Sequence, residues 1–280
     1  MSEAGRVRSG PRVPSAPPMP HIPPPMTVDA DREVESLRRE IVAVGRRLYE
    51  RGLIGGSEGN VSARLPGGRI LATPAGIPKG FLTPESLVVT DLAGRPLGGG
   101  RASSELRMHL RIYALRDDVE AVVHAHPPTA TGFAIAGRPL DECVVPEVIA
   151  TLGLVPIVPY GTPSTDELPE RMAPWIAGHD ALLLANHGAV TYAASLARAI
   201  DAMESIEQAA RSLLVAHLLG RVNRLSRAEV DRLLSLDAYG ARVRNPGCTF
   251  TDPEPLGERG DDGLRAEVAR IVRDALDRRA

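Results

Sequence analysis

The sequence predicts an α/β protein in which helices cover a mixed or antiparallel sheet. Three observations carry this. Apolar runs of strand character alternate irregularly with stretches of helical periodicity. Several connections between them are too short for the crossovers that a parallel sheet needs. Neither a Gly-x-Gly-x-x-Gly turn after a strand nor a Gly-x-x-x-x-Gly-Lys-Ser/Thr loop is present, so a doubly wound nucleotide-binding fold has no support. With 43% apolar and 24% charged residues, the 280-residue chain has ample material for a packed core. A formal charge of −2 gives no electrostatic case for nucleic acid or an anionic membrane. No apolar run approaches the roughly 20 residues needed to cross a bilayer. Cys143 and Cys248 make no C-x-x-C pair, and two cysteines do not make a disulfide framework. A reducing compartment, the cytoplasm, is therefore expected, and no secretory signal is apparent.

Taken in order, residues 1–28 form a tail rich in Pro, Ser and Gly that ends near Ile22-Pro23-Pro24-Pro25. Proline removes backbone donors and fixes φ, so this segment is expected to be extended and disordered. A catalytic domain is expected over 29–243. Val34, Leu37, Ile41, Val44 and Leu48 follow helical spacing, which predicts a helix over 31–52 closed by Gly52, Gly55 and Gly56. Segments 60–65, 69–72 and 86–90 read as strands separated by Gly and Pro turns. Residues 103–116 read as a helix. Ala121–Ala125, Gly153–Pro159 and Ala181–Ala185 read as further strands. A long helix is predicted over Ser195–Leu219 and another over 226–237. Beyond 244, a loop holding Asn245, Pro246 and Gly247 leads to an amphipathic helix over 263–278.

The chemistry-bearing residues lie at the ends of these elements. In Val122-Val123-His124-Ala125-His126-Pro127, positions i and i+2 of a strand place two imidazoles on one face, close enough to share a metal ion. Taken alone, the pair reads equally well as two polar residues at a strand edge. Leu182-Leu183-Leu184-Ala185-Asn186-His187-Gly188 ends an apolar strand in a third histidine, and three histidines with an open position suit a catalytic metal. His21, His179 and His217 read as structural or solvated. Ser103 is a plausible N-cap, which would put Glu105 in the first helical turn. On that evidence alone Glu105 is a capping residue, and a Glu105/His109 pair stays open as a metal pair. Ser57-Glu58-Gly59-Asn60-Val61-Ser62 and Thr73-Pro74-Ala75-Gly76 are turns of small polar residues, which suit an anion site or are ordinary turns.

In this order, Gly-Asn-Val-Ser, Thr-Pro-x-Gly, Ser-Ser-Glu, His-x-His-Pro and Asn-His-Gly resemble the class II aldolase/adducin superfamily, on the side of its fuculose-phosphate aldolases. The likeness covers about residues 33–243. It implies a three-layer α/β/α domain with a central, mainly antiparallel sheet, and Zn²⁺ on His124, His126 and His187. It implies Glu105 as catalytic carboxylate and Ser57, Asn60, Gly76, Ser103 and Ser104 as phosphate-binding positions. It also implies a homotetramer with sites at subunit interfaces, which Tyr239 would enter from a neighbour. The implied reaction cleaves a 1-phospho-2-ketose to dihydroxyacetone phosphate and an aldehyde. Other reactions of the superfamily are the alternatives: pentulose-phosphate epimerisation, sugar-acid phosphate decarboxylation, dehydration, or a non-catalytic adducin-like interaction module. Two departures stand out. Ala75 replaces a hydroxyl residue of the phosphate loop. Glu147 replaces a second tyrosine near the aldehyde end, where it either helps select the substrate or simply begins a helix after Pro146.

Overall fold

The computed structural model describes residues 28–237 together with Arg244, Cys248 and Arg270. The expected tail, Tyr239, the Asn245-Pro246-Gly247 loop and the helix over 263–278 (Arg270 apart) lie outside these described residues. Seven strands form one sheet in the order β3-β2-β1-β4-β7-β6-β5, namely β1 Asn60–Leu65, β2 Arg69–Ala72, β3 Val88–Asp91, β4 Ala121–Ala125, β5 Ile157–Val158, β6 Ala181–Leu184 and β7 Gly188–Ala193. Every pairing is antiparallel except β5 with β6.

Helices cover both faces of the sheet. On one face α1 (Val28–Glu50), α3 (Pro128–Ile135) and α6 (Leu196–Leu218) bury Ile41, Leu48, Ala130, Phe133, Ile200 and Met203 against Val61, Val123 and Leu183. On the other, α2 (Leu106–Leu115) and α5 (Glu167–Ile176) bury Met108, Ile112 and Met172 against Ile70, Val122, Leu182 and Leu184. The alternation Val122/Val123 and Leu182/Leu183/Leu184 places neighbouring residues in opposite layers, as the period of two requires. The fold is thus the expected three-layer α/β/α arrangement about a mainly antiparallel sheet. A small third cluster joins α4 (Pro146–Thr151) to α7 (Arg227–Leu234) through Ile149 and Val230.

Several local expectations are corrected. Ser103 does not cap α2: the helix begins at Leu106, Glu105 takes the N-cap position without a side-chain cap, and the Ser103 hydroxyl accepts from the Glu105 amide at 3.3 Å. The strand expected over Gly153–Pro159 shrinks to β5 and a bridge between Leu140 and Val155. The cysteines do not remain free. Packing of α4 on α7 brings Cys143 and Cys248 together from 105 residues apart, and they form a disulfide with Cα atoms 5.4 Å apart.

Candidate metal centre

Three imidazoles converge at one end of the central strands. His124 is fully buried near the end of β4, and its Nδ1 lies 2.9 Å from the Ala189 carbonyl of β7. A carbonyl only accepts, so Nδ1 carries a proton, and Nε2 is the nitrogen turned toward the other imidazoles. His126 follows the strand, held by its amide's bond to the Leu53 carbonyl at 3.1 Å, and its Nε2 lies 3.2 Å from that of His124. His187 sits in the three-residue turn between β6 and β7. Asn186 supplies that turn's left-handed residue at φ 56°, a conformation Asn tolerates better than most. Gly188 lets β7 start against the preceding site: a Cβ there would meet the Ala125 carbonyl at 2.5 Å and His126 Cδ2 at 2.7 Å. Asn-His-Gly is thus a turn residue, an imidazole and a close approach in succession.

One ligand atom from each of His124, His126 and His187 lies within 4.8 Å of the others. Three imidazole nitrogens this close together fit a divalent cation, and an all-imidazole set suits zinc-like metals. No other group of three His, Cys, Asp or Glu among the described residues has this geometry. Burial, together with the charges of His124 and His187, lowers the His126 pKa to about 3, so its nitrogen is unprotonated at neutral pH. Behind it, Glu58 Oε2 lies 3.8 Å from His126 Nδ1, beyond hydrogen-bond distance.

Glu105 faces this cluster. Its carboxylate lies 3.1 Å from His187 Nε2 and 3.4 Å from His124 Nε2, and Asn60 Nδ2 donates to it at 3.3 Å. Burial alone would raise its pKa, but hydrogen bonds and charge from His124 and His187 hold it well below the usual carboxylate range. His109 does not join the cluster. It is fully buried, with Nδ1 2.7 Å from the Ser62 hydroxyl, which also contacts Tyr113 OH at 2.9 Å.

The small polar turns meet beside Glu105. The Ser103 amide donates to the Thr73 carbonyl at 3.1 Å, the Ala75 amide to the Arg101 carbonyl at 2.9 Å, and Pro74 bridges to Ala102. Ser103 and Ser104 therefore run alongside the loop that carries Gly76, which is exposed at φ 76°. Ser57 is exposed, while Asn60 is buried with its Oδ1 unpartnered. Glu147 does not join this neighbourhood. It is exposed in the first turn of α4, after Pro146 at N1, and α4 packs on α6 and α7.

Two participants escaped the sequence reading. Lys79 is 1% exposed, and its Nζ donates to the Ser57 carbonyl at 2.7 Å and the Ile77 carbonyl at 3.0 Å. A lysine between Pro78 and Gly80 reads as a surface turn residue, and only its apolar neighbours Ile77 and Phe81 hint at burial. Ser164, at φ 64°, donates to the Ser104 hydroxyl at 2.8 Å and brings the loop before α5 to the site. The left-handed residue there is a serine, so no glycine marked the position.

Residues 39–214 match the family model of the class II aldolase and adducin N-terminal domain. The chain is 36% identical over 186 residues to a 3-oxo-tetronate 4-phosphate decarboxylase of Escherichia coli K12, spanning 65% of this chain and 87% of that one. It is 34% identical over 215 residues to an L-fuculose phosphate aldolase of Escherichia coli O6:H1, spanning 75% and 99%. The crystal structure of YgbL from Escherichia coli, described as an aldolase/epimerase/decarboxylase, superposes with a TM-score of 0.68 at 32% identity, covering 72% of this chain and 99% of that one. With the model matching more than half its length, and with the sheet, three histidines and facing glutamate in place, the chain belongs to the class II aldolase and adducin family.

Proposed function

We propose that the chain is a zinc-dependent carbon–carbon lyase that cleaves a 1-phospho-2-ketose of the L-fuculose 1-phosphate kind to dihydroxyacetone phosphate and an aldehyde. The observation that carries this is Glu105, a carboxylate held against two of three convergent imidazoles and beside a cluster of small polar turns. When bound by His124, His126 and His187, zinc supplies Lewis-acid stabilisation of the charge that develops on a carbonyl oxygen. The chain's own residues do the rest. Ser57, Asn60, Gly76, Ser103 and Ser104 hold the phosphate, and that remote contact keeps the reacting carbons in place. Tyr239 relays the hydroxyl proton of the aldehyde end to solvent as the carbon–carbon bond breaks toward the ketone and leaves an enediolate. Glu105, ionised at rest, takes a proton from solvent and delivers it to the enediolate carbon, so the proton count is unchanged.

A second reading shares most of this path. Loss of carbon dioxide from a 3-oxo-tetronate 4-phosphate leaves the same enediolate of dihydroxyacetone phosphate, and the same proton from Glu105 completes it. Similarity to the decarboxylases favours it, at 35% and 36% identity in two Escherichia coli strains. Epimerisation and dehydration would leave the carbon count of the substrate intact.

The deciding experiment incubates the zinc-loaded protein with phosphoketoses and with 3-oxo-tetronate 4-phosphate, and assays dihydroxyacetone phosphate, aldehyde and carbon dioxide. Aldehyde in step with dihydroxyacetone phosphate supports the aldolase, and carbon dioxide in step with it supports the decarboxylase. Products of unchanged carbon count reject both. Metal analysis accompanies it: we expect about one zinc per chain, lost in His124→Ala and His187→Ala. A chain that carries no metal at all would be a non-catalytic module. We place the enzyme in the cytoplasm, where phosphorylated sugars are kept. The Cys143–Cys248 disulfide pulls the other way, and thiol trapping at the moment of lysis decides between them.

A further inference from the structure

The residues assigned to the phosphate, Ser57, Asn60, Gly76, Ser103 and Ser104, are all uncharged, yet a phosphate monoester carries a charge of about −1.5 to −2 at neutral pH. A cation is nevertheless built in beneath them. Lys79 is 1% exposed, and its ammonium is bonded to the carbonyl of Ser57 itself.

This placement is enforced from the far side. A Cβ on Gly45 of α1 would meet the Lys79 carbonyl at 2.6 Å, and one on Gly80 would meet the Tyr49 ring at 2.6 Å. The chain around Lys79 is therefore pressed onto α1, and the side chain is directed inward. Two carbonyls account for two of its three N–H donors, and among the described residues no carboxylate is bonded to it. Burying a charge without a bonded counter-charge is costly and calls for a reason. Burial pulls the Lys79 pKa below the usual lysine value, while the charges of Glu105 and Glu58 oppose that pull, so the ammonium lies within electrostatic reach of the site.

Resting on the phosphate reading above, we propose that Lys79 is a positioning and charge-compensating residue for the substrate phosphate. It pins the Ser57 turn through the carbonyl, and it supplies from below the positive charge that the phosphate-binding residues lack. It selects for a dianionic phosphate over an uncharged sugar end without touching either.

The test uses the full-length zinc-loaded enzyme and inorganic phosphate as probe, with calorimetric affinity, metal content and melting temperature measured together. Lys79→Met removes the charge and the donors. Lys79→Gln removes the charge and keeps an amide donor for the Ser57 carbonyl. Both are expected to keep zinc and to bind phosphate at least about tenfold more weakly, as loss of one partly screened charge interaction requires. The Michaelis constant for the phosphorylated substrate should rise alongside, with turnover changing much less. Normal phosphate affinity in both variants overturns the proposal. Normal affinity in Lys79→Gln alone overturns the charge role and leaves only a pin. In the unaltered enzyme, the ¹⁵Nζ resonance of Lys79 should move as phosphate is titrated in, and a resonance that stays put overturns the proposal even if neither variant folds. Failure of the unaltered, zinc-loaded enzyme to bind phosphate at all would instead overturn the phosphate reading on which this rests.

Discussion

Single side chains carry two separable predictions. Glu105→Gln keeps the size of the group and a donor toward the histidines, but it cannot hold a transferable proton. It should keep the fold and the metal and lose activity by at least about 10²-fold, the usual worth of a general acid–base group. Turnover near normal would reduce Glu105 to a helix-terminal residue. His109 makes a prediction about stability. Burial, followed by the charge of His124, lowers its folded pKa to about 3, against an ordinary value of 6.5. Between these values the unfolded chain binds a proton that the folded chain refuses, so stability falls as pH drops from 6.5 toward 3. At pH 5 the contribution lost is about 2 kcal/mol. In metal-free protein, His109→Gln, which does not titrate, should flatten the urea midpoint between pH 7 and pH 5 relative to the unaltered chain. Parallel slopes for the two proteins would contradict this assignment. At this scale the candidate site was legible in part. The period of two in Val122-Val123-His124-Ala125-His126 and the turn grammar of Asn186-His187-Gly188 are local properties of sequence. Lys79 was not legible, because its burial comes from α1 pressing on it at Gly45, some 34 residues away.

Elements were legible where one physical pattern dominated and lost where several competed. The long helix at 196–218 and the strands at 60–65, 69–72 and 121–125 follow clean periodicity, and their observed bounds agree with it. Helix α3 was missed because it opens on Pro127-Pro128 and its apolar residues lie all around it. Helix α5 was missed because it contains Pro169 and Pro174, and β7 because it follows β6 after only three residues. What anchors α3 is a long-range contact. Glu207 of α6, 3% exposed, accepts from the amides of Thr129 and Ala130 at 3.0 Å each, and Arg211 pairs with it at 2.7 Å. A buried carboxylate thus caps the helix that starts two residues after His126. Glu207→Ala leaves those amides without a partner and should cost about 2–4 kcal/mol. Metal affinity should fall with it, since the His126-Pro127 step loses its anchor. A lowered urea midpoint with unchanged zinc affinity would confine Glu207 to stability alone. The Cys143–Cys248 disulfide ties the segment before α4 to the chain beyond α7. Closing a loop of 105 residues is worth up to about 5 kcal/mol in chain entropy. Cys143→Ser should lower the midpoint in oxidised protein and abolish its response to reductant. A midpoint that ignores reductant in the unaltered protein would mean that the link adds nothing in solution.

For the whole molecule, the sheet and its two helical layers were foreseeable from patterning and resemblance, whereas the sharing of a site between subunits was implied by the resemblance alone. The described chain leaves large apolar side chains uncovered, among them Phe81, Ile135, Tyr160 and Leu219, the last 79% exposed. Exposed apolar surface of that kind is commonly covered by a second subunit. The three convergent histidines and Glu105 come from one chain, and Tyr239 is proposed to enter the site from a neighbouring one in a homotetramer. If so, two inactive variants can repair each other. A Glu105→Gln subunit still offers Tyr239 to its neighbour, and a Tyr239→Phe subunit still holds Glu105. Mixed as unfolded chains in equal amounts and refolded together, random assembly gives about one quarter of the sites both native groups, the product of two independent halves. Activity should therefore return to about a quarter of normal in the mixture, while each variant refolded alone stays inactive. Sedimentation of the same samples checks that assembly is unchanged. A mixture no more active than its better parent, in particles of normal size, would place Tyr239 in its own subunit's site or outside the chemistry altogether.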